Sequence, residues 1–145
     1  MKCVIQRVMD ATVSVEGESV GHIDHGILVY FGVQRGDTEE AMRFLCDKMV
    51  KLRIFRDEND KTNLSLTEVN GQILLVSQFT LCANLYKGNR PSYDDAEEPS
   101  LANEMYEKAL AYLRNKGFEV SHGQFGAHMM VSYTNDGPAT FILEK

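Results

Sequence analysis

Ile73-Leu74-Leu75-Val76-Ser77-Gln78-Phe79-Thr80-Leu81 is an apolar run that closes on two hydroxyls and an amide. Its length and its Leu, Ile and Val content read as a buried strand. Asn70-Gly71 stands just before it, and both residues tolerate positive φ. A hairpin is therefore expected, joining this strand to a short one over 64–69. A strand that stops in a turn leaves backbone N–H groups unpaired. Two such groups aimed at one point can stabilise an oxyanion.

On the N-terminal side, residues 3–8 and 12–15 read as strands, Glu16-Gly17-Glu18 as a turn and 19–23 as a returning strand. The segment from Gly26 to Val33 is continuously apolar and bounded by glycines, as a buried strand would be. Asp37 with Glu40 forms a capping pair, and Ala41, Phe44, Leu45, Met49 and Leu52 follow at helical spacing. A helix over 38–52 is predicted. On the C-terminal side, 82–99 reads as a long loop with Pro91 and Pro99, and such a loop in a compact domain is more often functional than idle. Residues 100–116 form a second helix with Leu101, Met105, Ala109, Tyr112 and Leu113 inward, ended by Gly117. Strands at 118–122, 128–134 and 139–143 complete an α+β domain whose two helices cover sheet faces.

At 145 residues the chain reads as one domain, 1–145. Such a chain buries roughly 68–70 % of its unfolded surface. The N-terminus turns polar too early for a secretory signal. No apolar run approaches the roughly 18–20 residues of a membrane helix. A soluble cytoplasmic protein with no membrane partner is expected. Cys3, Cys46 and Cys82 are odd in number and far apart, so reduced thiols are the default. A net charge of −6 argues against non-specific nucleic-acid binding. Two basic clusters, Lys48, Lys51, Arg53 and Arg56, and Lys87 with Arg90, read as solvated faces.

Ser77 and Thr80 are the candidate hydroxyls, and the competing reading is that backbone groups satisfy both. A hydroxyl nucleophile needs a base oriented by a third group, and His22, His25, His122 and His128 fall in no triad order. Cys82 is the alternative nucleophile. His22-Ile23-Asp24-His25 lacks a third ligand and reads as a surface turn, so no metal is expected. In Asn135-Asp136-Gly137-Pro138-Ala139-Thr140, a trans Gly-Pro turn is the base-rate reading. A cis bond would instead aim consecutive carbonyls at a pocket, where they accept from an ammonium group and exclude bulk.

Ser77-Gln78-Phe79-Thr80-Leu81 and Asn135-Asp136-Gly137-Pro138, in this order and about sixty residues apart, resemble the signature segments of the D-aminoacyl-tRNA deacylases (D-tyrosyl-tRNA(Tyr) deacylases) of the bacterial and eukaryotic type. Val4-Ile5-Gln6-Arg7-Val8, Leu52-Arg53-Ile54-Phe55, Lys87-Gly88-Asn89-Arg90-Pro91-Ser92 and Phe125-Gly126-Ala127 extend the likeness over essentially the whole chain. The resemblance implies a barrel-like mixed sheet and hydrolysis of the ester of D-aminoacyl-tRNA, and glycyl-tRNA could also fit, with no cofactor. It implies a homodimer whose sites lie between subunits, joining the Ser77–Leu81 segment of one chain to the Gly-Pro turn of the other. Gly137-Pro138 would then be cis, facing the α-amino group and rejecting L-side chains, with Arg7 supporting the turn. Backbone N–H groups around Phe79 and Thr80 would hold the scissile carbonyl, Ser77 and Gln78 would shape the pocket, and Phe125 and Met129 would line the nucleotide side. His128 and Ala139 stand where many members carry Asp and Val. A DNA-binding protein of the same fold is the alternative.

Overall fold

The computed structural model describes residues 1–86 and 88–145; Lys87, of the second basic cluster, lies outside the described residues. The two N-terminal strands are one: β1 runs Lys2–Val15. Strand β2, Glu18–Ile23, folds back on its C-terminal half through Glu16 and Gly17, both at positive φ. Strand β3, Gly26–Gly32, pairs with its N-terminal half. The last strand, β8 (Met129–Glu144), runs antiparallel along the whole other edge of β1. The strands expected at 128–134 and 139–143 are thus also continuous.

Helix α1 spans Glu39–Lys51. Its N-cap is Thr38, whose hydroxyl accepts from Ala41 N–H, and not Asp37. Asp37 instead takes the α-ammonium of Met1 at 2.6 Å and the Gln34 N–H at 2.7 Å. Short strands β4 (Phe55–Arg56) and β5 (Thr62–Leu64) pair with each other. No hairpin forms at Asn70-Gly71. The Glu68 carboxylate accepts from both Ser65 N–H and Ser65 Oγ, a one-sided cap that winds 65–70 into a turn and buries Leu66. Asn70 keeps its positive φ but ends that turn.

Strand β6, Gln72–Ser77, therefore pairs parallel with β3 on one side and with β7 (Val120–His122) on the other. It stops at Ser77, four residues before the expected end, and Phe79–Cys82 winds into a 3-10 turn. Helix α2 spans Pro99–Asn115. Phe44 and Leu101, expected inward, are about half exposed, and Met42, Cys46, Tyr106 and Leu110 hold the inner faces instead.

The sheet order is β2-β1-β3-β6-β7, with β8 on β1. Two cores result. Cys3, Ile5, Ile27, Val29, Ile73 and Leu75 face the helices. Val8, Ala11, Val13, Ile23, Leu28 and Leu74 form a second cluster. Against β8, Val8 pairs with Asn135 and Asp10 with Thr134, so Met9 is an extra residue. One extra residue reverses the side to which the following side chains point, so Cys3 and Ile5 face the helices before it, and Ala11 and Val13 join Val8 in the second cluster after it. Ser121 Oγ donates to the His22 carbonyl at 2.7 Å, bringing β7 beside β2 and nearly closing a barrel. Among the described residues, no helix is long and apolar enough to cross a membrane.

Candidate active site

The end of β6 is fixed from β3. Gln78 N–H donates to the Phe31 carbonyl at 2.8 Å, and the chain then turns across Gly32. A β-carbon on Gly32 would lie 2.9 Å from the Gln78 carbonyl oxygen and 3.0 Å from Leu81 Cβ, so only glycine admits the turn this close. Leu81 N–H donates to the Gln78 carbonyl and Ala83 N–H to the Thr80 carbonyl. The first donors of a helical turn have no partner within it. Those are the N–H groups of Phe79 and Thr80, both on exposed residues.

Thr80 Oγ1 accepts from the Gln78 side-chain amide. Among the described residues, no histidine or carboxylate hydrogen-bonds Ser77 or Thr80, so neither hydroxyl is held by a base in a catalytic pair. Cys82 is buried, its Sγ sits 3.4 Å from the Val33 carbonyl, and burial pushes its thiol up. That is the opposite of a reactive thiolate. Among the described residues, no three metal-ligating side chains gather.

Beside this turn is a cavity of about 430 Å³. Ser77, Gln78 and Phe79 form one wall, and Phe125 and Met129 face them. The size suits a nucleoside-sized ligand. Phe125 is held from below by Tyr106, at 6.0 Å between rings, and Tyr106 donates its hydroxyl hydrogen to the Leu75 carbonyl at 2.8 Å. Phe79 packs edge-on against Tyr93 at 4.9 Å. Sequence reasoning missed Glu97, Pro99 and Ala102, which also line the cavity. The only signal for them was the unexplained length of the 82–99 loop.

The second predicted group sits elsewhere. Gln6 pairs with Thr140 and Val8 with Asn135, so residues 136–139 of β8 bulge opposite Arg7 alone. The Gly137-Pro138 bond is cis. Arg7, 3 % exposed, lies under the bulge: Nε donates to the Asp136 carbonyl at 3.0 Å and meets the Asp136 carboxylate at 2.8 Å, and a second nitrogen donates to the Ile54 carbonyl. Asn135 Nδ2 donates to the Arg7 carbonyl at 3.0 Å. Gly137 is tightly framed, since a β-carbon there would stand 2.8 Å from Asn135 Oδ1.

The chain thus brings Ser77, Gln78, Phe79, Thr80, Phe125 and Met129 together, and Arg7, Gly137 and Pro138 together, but not the two groups. Arg7 is level with Ile27 and so with Ile73, four residues from Ser77. Measured from the Gly137-Pro138 bulge opposite Arg7, that is about 13 Å along the strands and three strand spacings, ~14 Å, across.

A family model described as D-Tyr-tRNA(Tyr) deacylase matches residues 4–144. The chain is 52 % identical to the D-aminoacyl-tRNA deacylase of Pelobacter propionicus over 145 residues, covering all of both chains. It is 49 % identical to that of Thermosipho africanus, covering all of this chain and 97 % of the relative. Among solved structures it superposes on a c-Myc DNA unwinding element binding protein with a TM-score of 0.94 and 39 % identity, covering 100 % of this chain and 99 % of the other. A match over nearly every residue, with both signature segments intact, makes this chain a member of the D-Tyr-tRNA(Tyr) deacylase family.

Proposed function

We propose that this protein, a single deacylase domain over 1–145, works in the cytoplasm as a homodimer that hydrolyses the ester between a D-amino acid and the 3′ end of tRNA. The family match carries the reaction. The separation of the two site groups within one chain supports a site completed by a second copy. The outer edge of β8, which pairs with no strand among the described residues, supports it too, because a long edge strand calls for covering, and the strand also exposes Met130, Tyr133 and Ile142.

In this reading the terminal nucleoside fills the cavity between Phe79 and Phe125–Met129. The ester carbonyl lies at the Phe79 and Thr80 N–H groups, which stabilise the oxyanion as water adds. Ser77 and Gln78 shape that wall, and Thr80 positions water or RNA rather than attacking. The partner's Gly-Pro turn meets the α-ammonium with backbone carbonyls and leaves no room for an L-side chain. An aminoacyl ester with a protonated amine and a neighbouring 2′-OH is already reactive, so positioning and electrostatics suffice without an activated nucleophile. Glycine, having no side chain to exclude, fits the same site.

The test is release of amino acid from matched D-tyrosyl- and L-tyrosyl-tRNA at equal enzyme concentration. Fast loss of the D-ester alone is expected. Loss of both contradicts chiral selection, and loss of neither contradicts the deacylase reading. The DNA-binding alternative is weaker: Arg53 is engaged by Asn63 and Arg56 by Asp60 at 2.6 Å, so half of the 48–56 basic cluster is already occupied.

A further inference from the structure

Glu97 is out of place in a site for the end of an RNA. It is half-buried, and it lines both the main cavity and the small recess that continues from it toward Tyr106. The cavity around this carboxylate is mostly apolar, with Phe79, Pro99, Ala102 and Phe125, and its other polar side chains are Ser77, Gln78 and His128. One oxygen, Oε1, accepts from the Glu98 N–H at 2.8 Å at the start of α2. The other has no partner among the described residues. Among the described residues, no lysine or arginine lines the cavity, and its one basic side chain, His128, makes no hydrogen bond to Glu97.

A carboxylate in such a place repels phosphate and accepts hydrogen bonds, having no proton to give. A free carboxylate oxygen against an apolar wall is stabilised by any N–H or O–H donor brought to it, and the donors a terminal nucleoside offers are uncharged. Resting on the deacylase reading, we propose that Glu97 is a specificity-determining residue. Its free oxygen accepts a hydrogen bond from a neutral donor on the terminal nucleoside and keeps phosphate out of the cavity. Two groups on that nucleoside carry the chemistry, the exocyclic amine of the base and the ribose 2′-hydroxyl.

The experiment compares the wild-type protein, Glu97→Gln and Glu97→Ala on D-tyrosyl-tRNA ending in adenosine, in purine riboside or in 2′-deoxyadenosine. Purine riboside lacks the amine, and the deoxy form lacks the hydroxyl. In the wild type, deleting the bonded donor should lower kcat/KM by roughly 10- to 100-fold, the worth of one hydrogen bond to a charged group. In Glu97→Ala that penalty should vanish for purine riboside and, for the deoxy form, shrink to the loss of the 2′-hydroxyl's own assistance to the ester. Glu97→Gln, which keeps an acceptor and the bond to Glu98 N–H, should retain most of it. A penalty removed by Glu97→Ala only for purine riboside identifies the amine, and one reduced by Glu97→Ala only for the deoxy form identifies the hydroxyl. Equal penalties in wild type and Glu97→Ala for both substrates overturn the proposal, even with deacylation intact. Absence of hydrolysis by the wild type would instead count against the deacylase reading. Loss of helix stability alone would slow all three substrates equally and leave the penalties unchanged.

Discussion

Arg7 is the one buried charged residue among the described residues, and its partners explain why it is there. It joins the Asp136 carboxylate and carbonyl to the Ile54 carbonyl, tying the β8 bulge to the segment after α1. Removing one partner of such a set leaves the others desolvated and unpaired. Arg7→Ala is expected to cost about 3–5 kcal/mol by denaturant unfolding and to abolish D-ester hydrolysis. Arg7→Lys, whose ammonium cannot reproduce the planar fork, should fold and yet lose activity. Full activity in Arg7→Lys would show that the bulge does not need this support. The sequence made Arg7 legible only through the family likeness, because a lone arginine in an apolar strand carries no pattern of its own. Glu97 was illegible for a related reason: nothing in Asp94-Asp95-Ala96-Glu97-Glu98 says which carboxylate turns inward.

Strands and helices were read from periodicity, and the errors lie where a local interaction overrides it. The Ser65–Glu68 pair turns a predicted strand into a turn, and the Met9 bulge merges two predicted strands into one while exchanging their faces. Neither has a hydrophobic signature. The end of β6 depends on Gly32, a residue on another strand. Gly32→Ala should push the 3-10 turn off β3 and reduce kcat/KM far more than it reduces stability; comparing activity with the unfolding midpoint separates the two. Between the helices, Lys116 bonds Asp47 at 2.9 Å, and the Tyr112 hydroxyl bonds the same carboxylate at 3.1 Å. The Lys116 hydrogen bond, followed by that from Tyr112, holds the Asp47 carboxyl below its ordinary value of 3.8 despite some opposing desolvation. A depressed carboxyl contributes stability that is present above its unfolded value and lost as pH falls through its folded value. Asp47→Asn should therefore be less stable than the wild type at neutral pH. The gap should close below pH 3.8, and a gap that persists unchanged into acid would contradict this linkage.

For the molecule as a whole, the sheet places one half of the proposed site at the end of β6 and the other on β8, with β1 and β3 between. The central claim is that two copies supply the halves. Phe79→Pro removes one oxyanion donor at the first position of the 3-10 turn, where proline is tolerated. The residue before it, Gln78, is already extended at φ −147, as a residue preceding proline should be. Gly137→Val fills the turn on the other half. Each variant alone should be inactive. When the two are mixed under subunit exchange, half of the dimers are mixed and each mixed dimer carries one intact site. Hydrolysis of D-tyrosyl-tRNA should then return to about a quarter of the wild-type rate, as two-fold symmetry requires. A mixed dimer that forms and stays inactive would contradict the shared site.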